Sequence, residues 1–216
     1  MIPQQPPGSP NRMKNAKLAR SWAALRCRLL GRSDVARWSD PLSFDAEWDA
    51  RARVAAALIP PGACVIEFGA GLRQLEKHLD RTISYIPSDI VDRGPGTLIL
   101  DLNAGSLPTL DGVDTCVFCG VLEYVVDVPR LVNWLSRWAS LCVTSYNCAR
   151  SSRRTLLRMS EVAKRGRSGW VNTFTERELC AQFANAGFEV VDRRLWDDTG
   201  EYEPILVFRK RGSQRG

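Results

Sequence analysis

An apolar run that ends in an acid and two glycines constrains the fold of this chain more than any other stretch. The run, residues 63–71, reads Ala-Cys-Val-Ile-Glu-Phe-Gly-Ala-Gly. Such a run predicts a buried strand, and its glycines predict a tight turn followed by a helix that begins near Leu72. A turn of this kind can let a ligand approach the backbone at a helix N-terminus. The stretch therefore predicts a strand that ends at a ligand site.

Strand and helix signals alternate along the rest of the chain. Five apolar, strand-like runs cover residues 63–68, 83–88, 97–101, 114–119 and 140–145. Between the last two, residues 129–138 show helical spacing, and the alternation predicts a parallel, doubly wound sheet with helices on both faces. Two further strand-like runs, 188–196 and 204–210, are joined by a short acidic turn and predict an antiparallel hairpin. The expected fold is α/β, mostly parallel with a C-terminal antiparallel hairpin.

Two helices are expected ahead of the first strand. One covers residues 14–30, where apolar residues recur at the spacing of a helix face, and the other opens at Asp40-Pro41 and stops at residues 60–62. We expect residues 1–38 to form a basic tail and amphipathic helix. Residues 39–212 are expected to form a single domain, with a basic helical insertion at about 150–172.

The net charge of +6 is unevenly distributed. Residues 1–38 contain eight basic residues and one acid, and residues 150–167 contain seven basic residues and one acid. The rest of the chain is therefore acidic. The basic segments fit an anionic partner, such as a phosphorylated substrate, a lipid surface or nucleic acid, and they equally fit solvated helix faces and a flexible tail.

Seven cysteines without an apolar leader segment suggest reduced thiols and a cytoplasmic location. Cys116 and Cys119 form a C-x-x-C pair within a predicted strand. Side chains three positions apart on a strand point to opposite faces, so we expect no metal site there. No apolar run is long enough for a membrane span, although peripheral contact with a membrane stays open.

Acids or small residues end four successive predicted strands. They are Glu67, Asp89, Asp101 and the Cys119-Gly120 pair. An acid after the second strand can hold both hydroxyls of a ribose. The third glycine of a dinucleotide fingerprint would fall at Gln74 and is absent, which argues against a nicotinamide or flavin enzyme. The pattern predicts a ligand that carries cationic groups and a diol.

These stretches resemble the class I S-adenosylmethionine-dependent methyltransferases, which have a Rossmann-like fold. The similarity covers about residues 60 to 210. It is carried by residues 65–71, 85–89, 101–103, 119–124 and 186–191, which read VIEFGAG, YIPSD, DLN, CGVLEY and AGFEVV. Two departures are that Arg73 stands where the family often has a third glycine, and that the helix after the second strand looks truncated.

The resemblance implies a binding role for eight residues and the cofactor S-adenosylmethionine. Glu67, Gly69 and Gly71 would hold the methionine part, and Asp89 the ribose. The remaining four would meet the adenine or form the floor of the sulfonium site: Asp101, Leu102, Cys119 and Gly120.

The methyl acceptor is less defined. Catalytic candidates after the fourth and fifth strands are Tyr124, Asp127 and Tyr146, with Glu123 and Asn147 beside them. The expected acceptor is a small or conjugated molecule, such as a glycan, a lipid-linked intermediate or another anionic metabolite. Two alternatives stay open: a non-catalytic module that keeps the cofactor fold, and a methyltransferase directed at RNA.

Overall fold

A twisted sheet forms the centre of the protein, which a computed structural model describes for residues 26–27, 30–40, 43–150, 156–167, 169–196 and 202–213. Within these residues the sheet has seven strands in the order β3-β2-β1-β4-β5-β7-β6. They are β1 (Cys64–Phe68), β2 (Ser84–Asp89), β3 (Leu98–Ile99), β4 (Thr115–Cys119), β5 (Leu141–Ser145), β6 (Phe188–Leu195) and β7 (Pro204–Lys210). β1 to β5 are parallel, whereas β7 is antiparallel to β5 and β6. The predicted fold class, including the hairpin, is confirmed.

Helices cover both faces of the sheet. The α-helices of the described residues are α1 (Val35–Trp38), α2 (Trp48–Ala56), α3 (Val128–Leu135), α4 (Leu156–Arg167) and α5 (Glu176–Asn185). Two 3₁₀ helices lie at Leu75–His78 and Leu122–Tyr124. Because side chains alternate along a strand, β1 sends Val65 to a core shared with α2 and sends Ile66 to a core shared with α3 and α5.

Capping residues set where α3 and α5 begin. The Asp127 carboxylate accepts the backbone N–H of Arg130 at 2.9 Å, and Pro129 occupies the first turn of α3. Thr175 and Glu178 form a reciprocal capping box at the start of α5, as predicted.

The prediction of a helix beginning near Leu72 is wrong. Residues 71–74 form turns, and only the 3₁₀ helix Leu75–His78 follows. Gly71 and Arg73 both have positive φ angles, of 52° and 55°, which a right-handed helix does not accommodate. The chain therefore loops across the end of β1 instead of continuing as a helix.

The helix predicted from Asp40-Pro41 begins later, at Trp48. Positions 41 and 42 lie outside the described residues, as does most of the helix predicted over 14–30. β3 is shorter than its predicted range, with only Leu98–Ile99 paired to β2.

Cys116 and Cys119 point to opposite faces of β4, as the strand alternation predicts. Cys116 belongs to the core on the α3 and α5 side, and Cys119 packs against the core on the α2 side. None of the helices in the described ranges combines the length and the apolar character that crossing a bilayer requires.

Candidate functional site

A cavity of about 270 Å³ lies at the carboxyl ends of β1, β2 and β4. Ligands of open α/β sheets bind at this edge. The cavity is bounded by the β-strand ends, by residues 32–38 and 44–48, and by residues 169–171. Seven of the eight residues predicted to hold the cofactor line it: Glu67, Gly69, Gly71, Asp89, Leu102, Cys119 and Gly120.

The turn after β1 forms a backbone cradle that only glycine fits. Gly69 has φ 68° and Gly71 has φ 52°, both in the left-handed region. A Cβ atom at Gly69 would lie 2.5 Å from Cγ2 of Val121, and one at Gly71 would lie 2.7 Å from Cε1 of Phe44. Both glycines are therefore required by the backbone conformation and by the neighbouring side chains.

Glu67 is a buried acid at the end of β1. Its side chain accepts a hydrogen bond from the hydroxyl of Tyr85 on β2, and the residue is 3% exposed. Burial raises the pKa of Glu67 to about 8, and the bond from Tyr85 opposes this rise. At neutral pH the carboxyl group therefore holds its proton for most of the time.

Asp89 ties the end of β2 to the glycine turn. Its Oδ2 accepts the backbone N–H of Gly71 at 2.9 Å, and its Oδ1 accepts that of Val91 at 3.1 Å. The guanidinium of Arg93 lies against the same carboxylate, with Nη2 3.2 Å from Oδ1. The acid is thus held in one orientation beside the turn.

Asp101 does not line the cavity, unlike the other predicted residues. Its Oδ1 accepts the hydroxyl of Ser33 at 2.6 Å and the backbone N–H of Asn103 at 2.9 Å. The carboxylate instead attaches the segment before α1 to the end of the sheet.

A buried ion pair that sequence reasoning missed lies beside Cys119. Arg51 of α2 donates to Glu203 through Nη1 at 2.6 Å and to the carbonyl of Cys119 through Nη2 at 3.2 Å. Ser145 donates its hydroxyl to the same carboxylate at 3.1 Å. An arginine within an otherwise small-residue helix face gave no sequence signal, because its partner is 152 positions away.

Glu123 lines the cavity from the 3₁₀ helix after β4. Its Oε1 accepts the backbone N–H of Asn147 at 2.8 Å, and its carbonyl accepts that of Val171 at 2.8 Å. Its Oε2 has no hydrogen-bond partner within the described part of the chain. Burial, reinforced by the charge of Glu203, raises the pKa of Glu123 to about 7.

The three catalytic candidates have different surroundings. Tyr124 lines the cavity, and its hydroxyl accepts the indole N–H of Trp170 at 2.9 Å. Asp127 is exposed and caps α3. Tyr146 is fully buried and joins β5 to the segment 172–174: its hydroxyl donates to Asn172 Oδ1 at 2.5 Å and accepts the backbone N–H of Phe174 at 2.8 Å.

Aromatic side chains from the N-terminal segment form one wall of the cavity. The Trp38 ring meets Tyr124 edge-on at 5.0 Å between centroids, and Phe44 packs between Trp38 and Trp48. Arg93 donates to the carbonyl of Trp38 at 2.8 Å. Sequence reasoning missed this wall because the segment is remote from the strand ends in the chain.

Comparison with known proteins assigns this arrangement to a family. A family model described as a methyltransferase domain matches residues 43–193, which is more than half of the chain. The chain belongs to this methyltransferase family. The resemblance to class I, Rossmann-like methyltransferases is thereby confirmed, and S-adenosylmethionine is the cofactor that the family uses. A search of curated proteins found no match.

Several methyltransferases of known structure have folds similar to that of this chain. One is the 1,6-didemethyltoxoflavin-N1-methyltransferase of Burkholderia thailandensis, with 1,6-didemethyltoxoflavin and S-adenosylhomocysteine bound (18% identity, 96% of this chain and 93% of that chain, TM-score 0.58). Another is the magnesium protoporphyrin IX methyltransferase of Synechocystis with S-adenosylhomocysteine (18%, 76% and 84%, TM-score 0.54). A third is the N-terminal domain of EvdMO1, in the presence of S-adenosylhomocysteine and D-fucose (20%, 77% and 83%, TM-score 0.53).

Proposed function

We propose that the protein is an S-adenosylmethionine-dependent methyltransferase that acts on a small or conjugated acceptor. The observation that carries the proposal is that Glu67 and Asp89, at neighbouring strand ends, line one cavity with the Gly69 turn. If the two acids faced separate surfaces, no single ligand could meet both. The match to the methyltransferase family supports the same conclusion.

The residues present fit the cofactor. The backbone of the glycine turn lines the cavity, and the acids supply acceptors for an ammonium group and a ribose diol. Glu67 and the turn would hold the methionine part, and Asp89 the ribose. Leu102 would pack on the adenine, and Cys119 and Gly120 would form the floor near the sulfur. Asp101 would act indirectly, through its bond to Ser33.

The bound cofactor would supply a methyl group that is transferred to a lone pair of the acceptor, while the bond pair stays on sulfur. The protein's contribution to such a displacement is chiefly alignment of the two partners. Trp38, Tyr124 and Trp170 would hold the body of the acceptor and keep water away from it. Arg51 would keep the strand end at Cys119 in position.

The identity of the acceptor remains a proposal. Of the three solved methyltransferases above, one has 1,6-didemethyltoxoflavin bound, one is named for magnesium protoporphyrin IX and one was crystallised in the presence of D-fucose, which fits a small or conjugated acceptor here. A glycan, a lipid-linked intermediate or another anionic metabolite stays a prediction, since residues 1–25 and 151–155 of the two basic segments lie outside the described residues. We also propose the division at residues 38 and 39, with one domain over 39–212 and a cytoplasmic location.

Isothermal titration with S-adenosylmethionine tests the proposal. We expect binding by the folded protein, and we expect Asp89→Ala to weaken it about ten- to a hundredfold, the value of a charge-assisted hydrogen bond. Asp92→Ala is the matched control, because Asp92 is exposed and does not line the cavity. Absence of binding at millimolar cofactor would refute the proposal. Binding without turnover on any acceptor would favour the non-catalytic module.

A further inference from the structure

We propose that Glu123 accepts a hydrogen bond from the reacting group of the methyl acceptor, and that this group is therefore a hydroxyl or an amine. This inference rests on the proposed function and narrows its substrate class. On methyl transfer the O–H or N–H bond breaks, its electron pair stays on the acceptor atom, and the proton passes to Oε2 of Glu123. No further reactant is needed.

The Oε2 atom of Glu123 has no hydrogen-bond partner within the described residues. Glu123 is 2% exposed and lines the cavity, and its Oε1 and backbone carbonyl already hold Asn147 and Val171. A buried polar atom without a partner costs about 1–3 kcal/mol and requires an explanation. A donor group that belongs to a bound acceptor supplies one.

The position of Glu123 in the chain places it close to the expected site of methyl transfer. It lies three residues after Gly120, which the methyltransferase resemblance assigns to the floor of the sulfonium site. Its contacts with Asn147 and Val171 connect the loops after β4 and β5 to the segment after α4. These are the loops expected to surround a methyl acceptor. Glu123 is thus anchored on both sides, as a group that handles a proton must be.

The cavity is lined by more acidic than basic residues. Among the described residues that line it, six acids face three arginines. The acids are Asp34, Asp45, Glu67, Asp89, Glu123 and Glu203, and the arginines are Arg32, Arg37 and Arg51. The described residues that line the cavity include no histidine or lysine, and His78 is bonded to Asp49 elsewhere. With Glu67 protonated, the other five acids still outnumber the three arginines, and this excess favours a neutral or cationic donor over an anion.

The ionisable groups around Glu123 support a role in proton transfer. Burial and the charge of Glu203 raise the pKa of Glu123 to about 7, whereas the backbone hydrogen bond from Asn147 and the charge of Arg51 lower it. A base with a pKa close to the working pH is the most efficient kind. The other ionisable groups that interact with Glu123 are Cys119, Tyr124, Tyr146 and Cys148. Burial raises the pKa of each of these four groups to about 12 or higher, so they stay neutral while Glu123 titrates.

The test uses three probes that share an aromatic body suited to the tryptophan and tyrosine walls: benzyl alcohol, benzylamine and benzoate. Their binding to the full chain saturated with S-adenosylhomocysteine is measured by ligand-observed NMR titration. We expect benzyl alcohol and benzylamine to bind and benzoate to bind at least about tenfold more weakly. Glu123→Gln should weaken binding of the first two about tenfold or more at pH 8, the value of a lost charge-assisted bond.

Measuring probe binding at a series of pH values tests the contribution of the Glu123 carboxylate. Binding of benzyl alcohol, which does not itself ionise, should tighten as the pH rises from about 6 to about 8, because the ionised form of Glu123 is the stronger acceptor. Glu67 also titrates in this pH range, so part of the pH dependence of binding should remain in Glu123→Gln. The part that comes from Glu123 should disappear. Glu189→Gln, an exposed control on β6, should behave as the wild type does. If Glu123→Gln fails to fold, Glu123→Asp, which withdraws the acid by one methylene, should still weaken both probes.

Each outcome has a separate meaning. Unchanged probe affinity in Glu123→Gln, equal binding of benzoate, or no binding of either donor probe would overturn the role of Glu123. Failure to bind S-adenosylhomocysteine in the first place would instead count against the proposed function.

Discussion

The two glycines after β1 differ from Gly112, which also has a positive φ, in what surrounds them. A Cβ atom at Gly69 would lie 2.5 Å from Val121, whereas one at Gly112, with φ 76°, would meet nothing within 4 Å. Gly69→Ala should therefore lower the free energy of unfolding by about 3 kcal/mol, from backbone strain and overpacking together. Gly112→Ala should cost about 1 kcal/mol, from strain alone. Urea denaturation measures both, and equal losses would show that Val121 moves aside freely.

The raised pKa of Glu67 has a consequence for stability. In the folded state this acid holds its proton up to about pH 8, whereas the unfolded chain releases it near pH 4.5. Stability therefore falls as the pH rises from about 4.5 to about 8. Glu67→Gln should remove part of that fall, on the order of a few kcal/mol. Denaturation at pH 5 and pH 8 checks this, with Glu189→Gln as control. An identical pH dependence in Glu67→Gln and wild type would contradict the prediction.

Sequence reasoning identified the acids and glycines of the site but not their partners. Glu67, Asp89 and Gly71 are recognisable because strand ends and glycine turns leave a local pattern. Arg51 and Glu203 are not, because their pairing depends on how α2 lies against the sheet. Tyr146 illustrates a further limit: its residue type suits catalysis, but its hydroxyl is engaged with Asn172 and a backbone amide.

At the scale of elements, the strand β5 and the segment 172–174 are held together by one phenol. Tyr146→Phe would leave Asn172 Oδ1 and the backbone N–H of Phe174 without this partner. We expect a loss of about 1–3 kcal/mol in the free energy of unfolding and faster amide exchange in residues 169–174. Tyr202→Phe, whose hydroxyl is on the surface, should change stability by less than about 0.5 kcal/mol. A stable Tyr146→Phe variant with normal exchange would show that this bond contributes little.

Strands were easier to predict than helices in this protein. β1, β4 and β5 are largely apolar, buried runs, and β2 lies between turn signals, so these four strands begin and end within about one residue of their predicted limits. The helix expected after β1 failed because Arg73 adopts a positive φ, which its sequence context does not indicate. α2 begins at Trp48 and not near Asp40, since the preceding residues form the wall of the cavity.

At the scale of the whole molecule, the site is assembled from parts that are distant in sequence. The N-terminal segment reaches the sheet through Ser33 and Asp101, and the C-terminal hairpin contributes Glu203. A ligand that binds there should therefore stabilise the entire fold. S-adenosylhomocysteine at a hundredfold excess over its Kd should increase the free energy of unfolding by about 2.7 kcal/mol. Thermal or chemical denaturation with and without the ligand measures this. Asp89→Ala, which we expect to bind ten- to a hundredfold more weakly, should gain only about 0.4–1.4 kcal/mol at the same concentration. Equal shifts in both proteins would mean that the ligand binds elsewhere.

A crystal structure of the protein with S-adenosylhomocysteine would show whether Glu67 and Asp89 hold one ligand. We predict the ligand in the cavity at the carboxyl edge of the sheet, with its amino acid part at the Gly69 turn, its ribose at Asp89 and its sulfur near Gly120. Ligand density at another surface, or a complex in which neither Glu67 nor Asp89 is near the ligand, would contradict it.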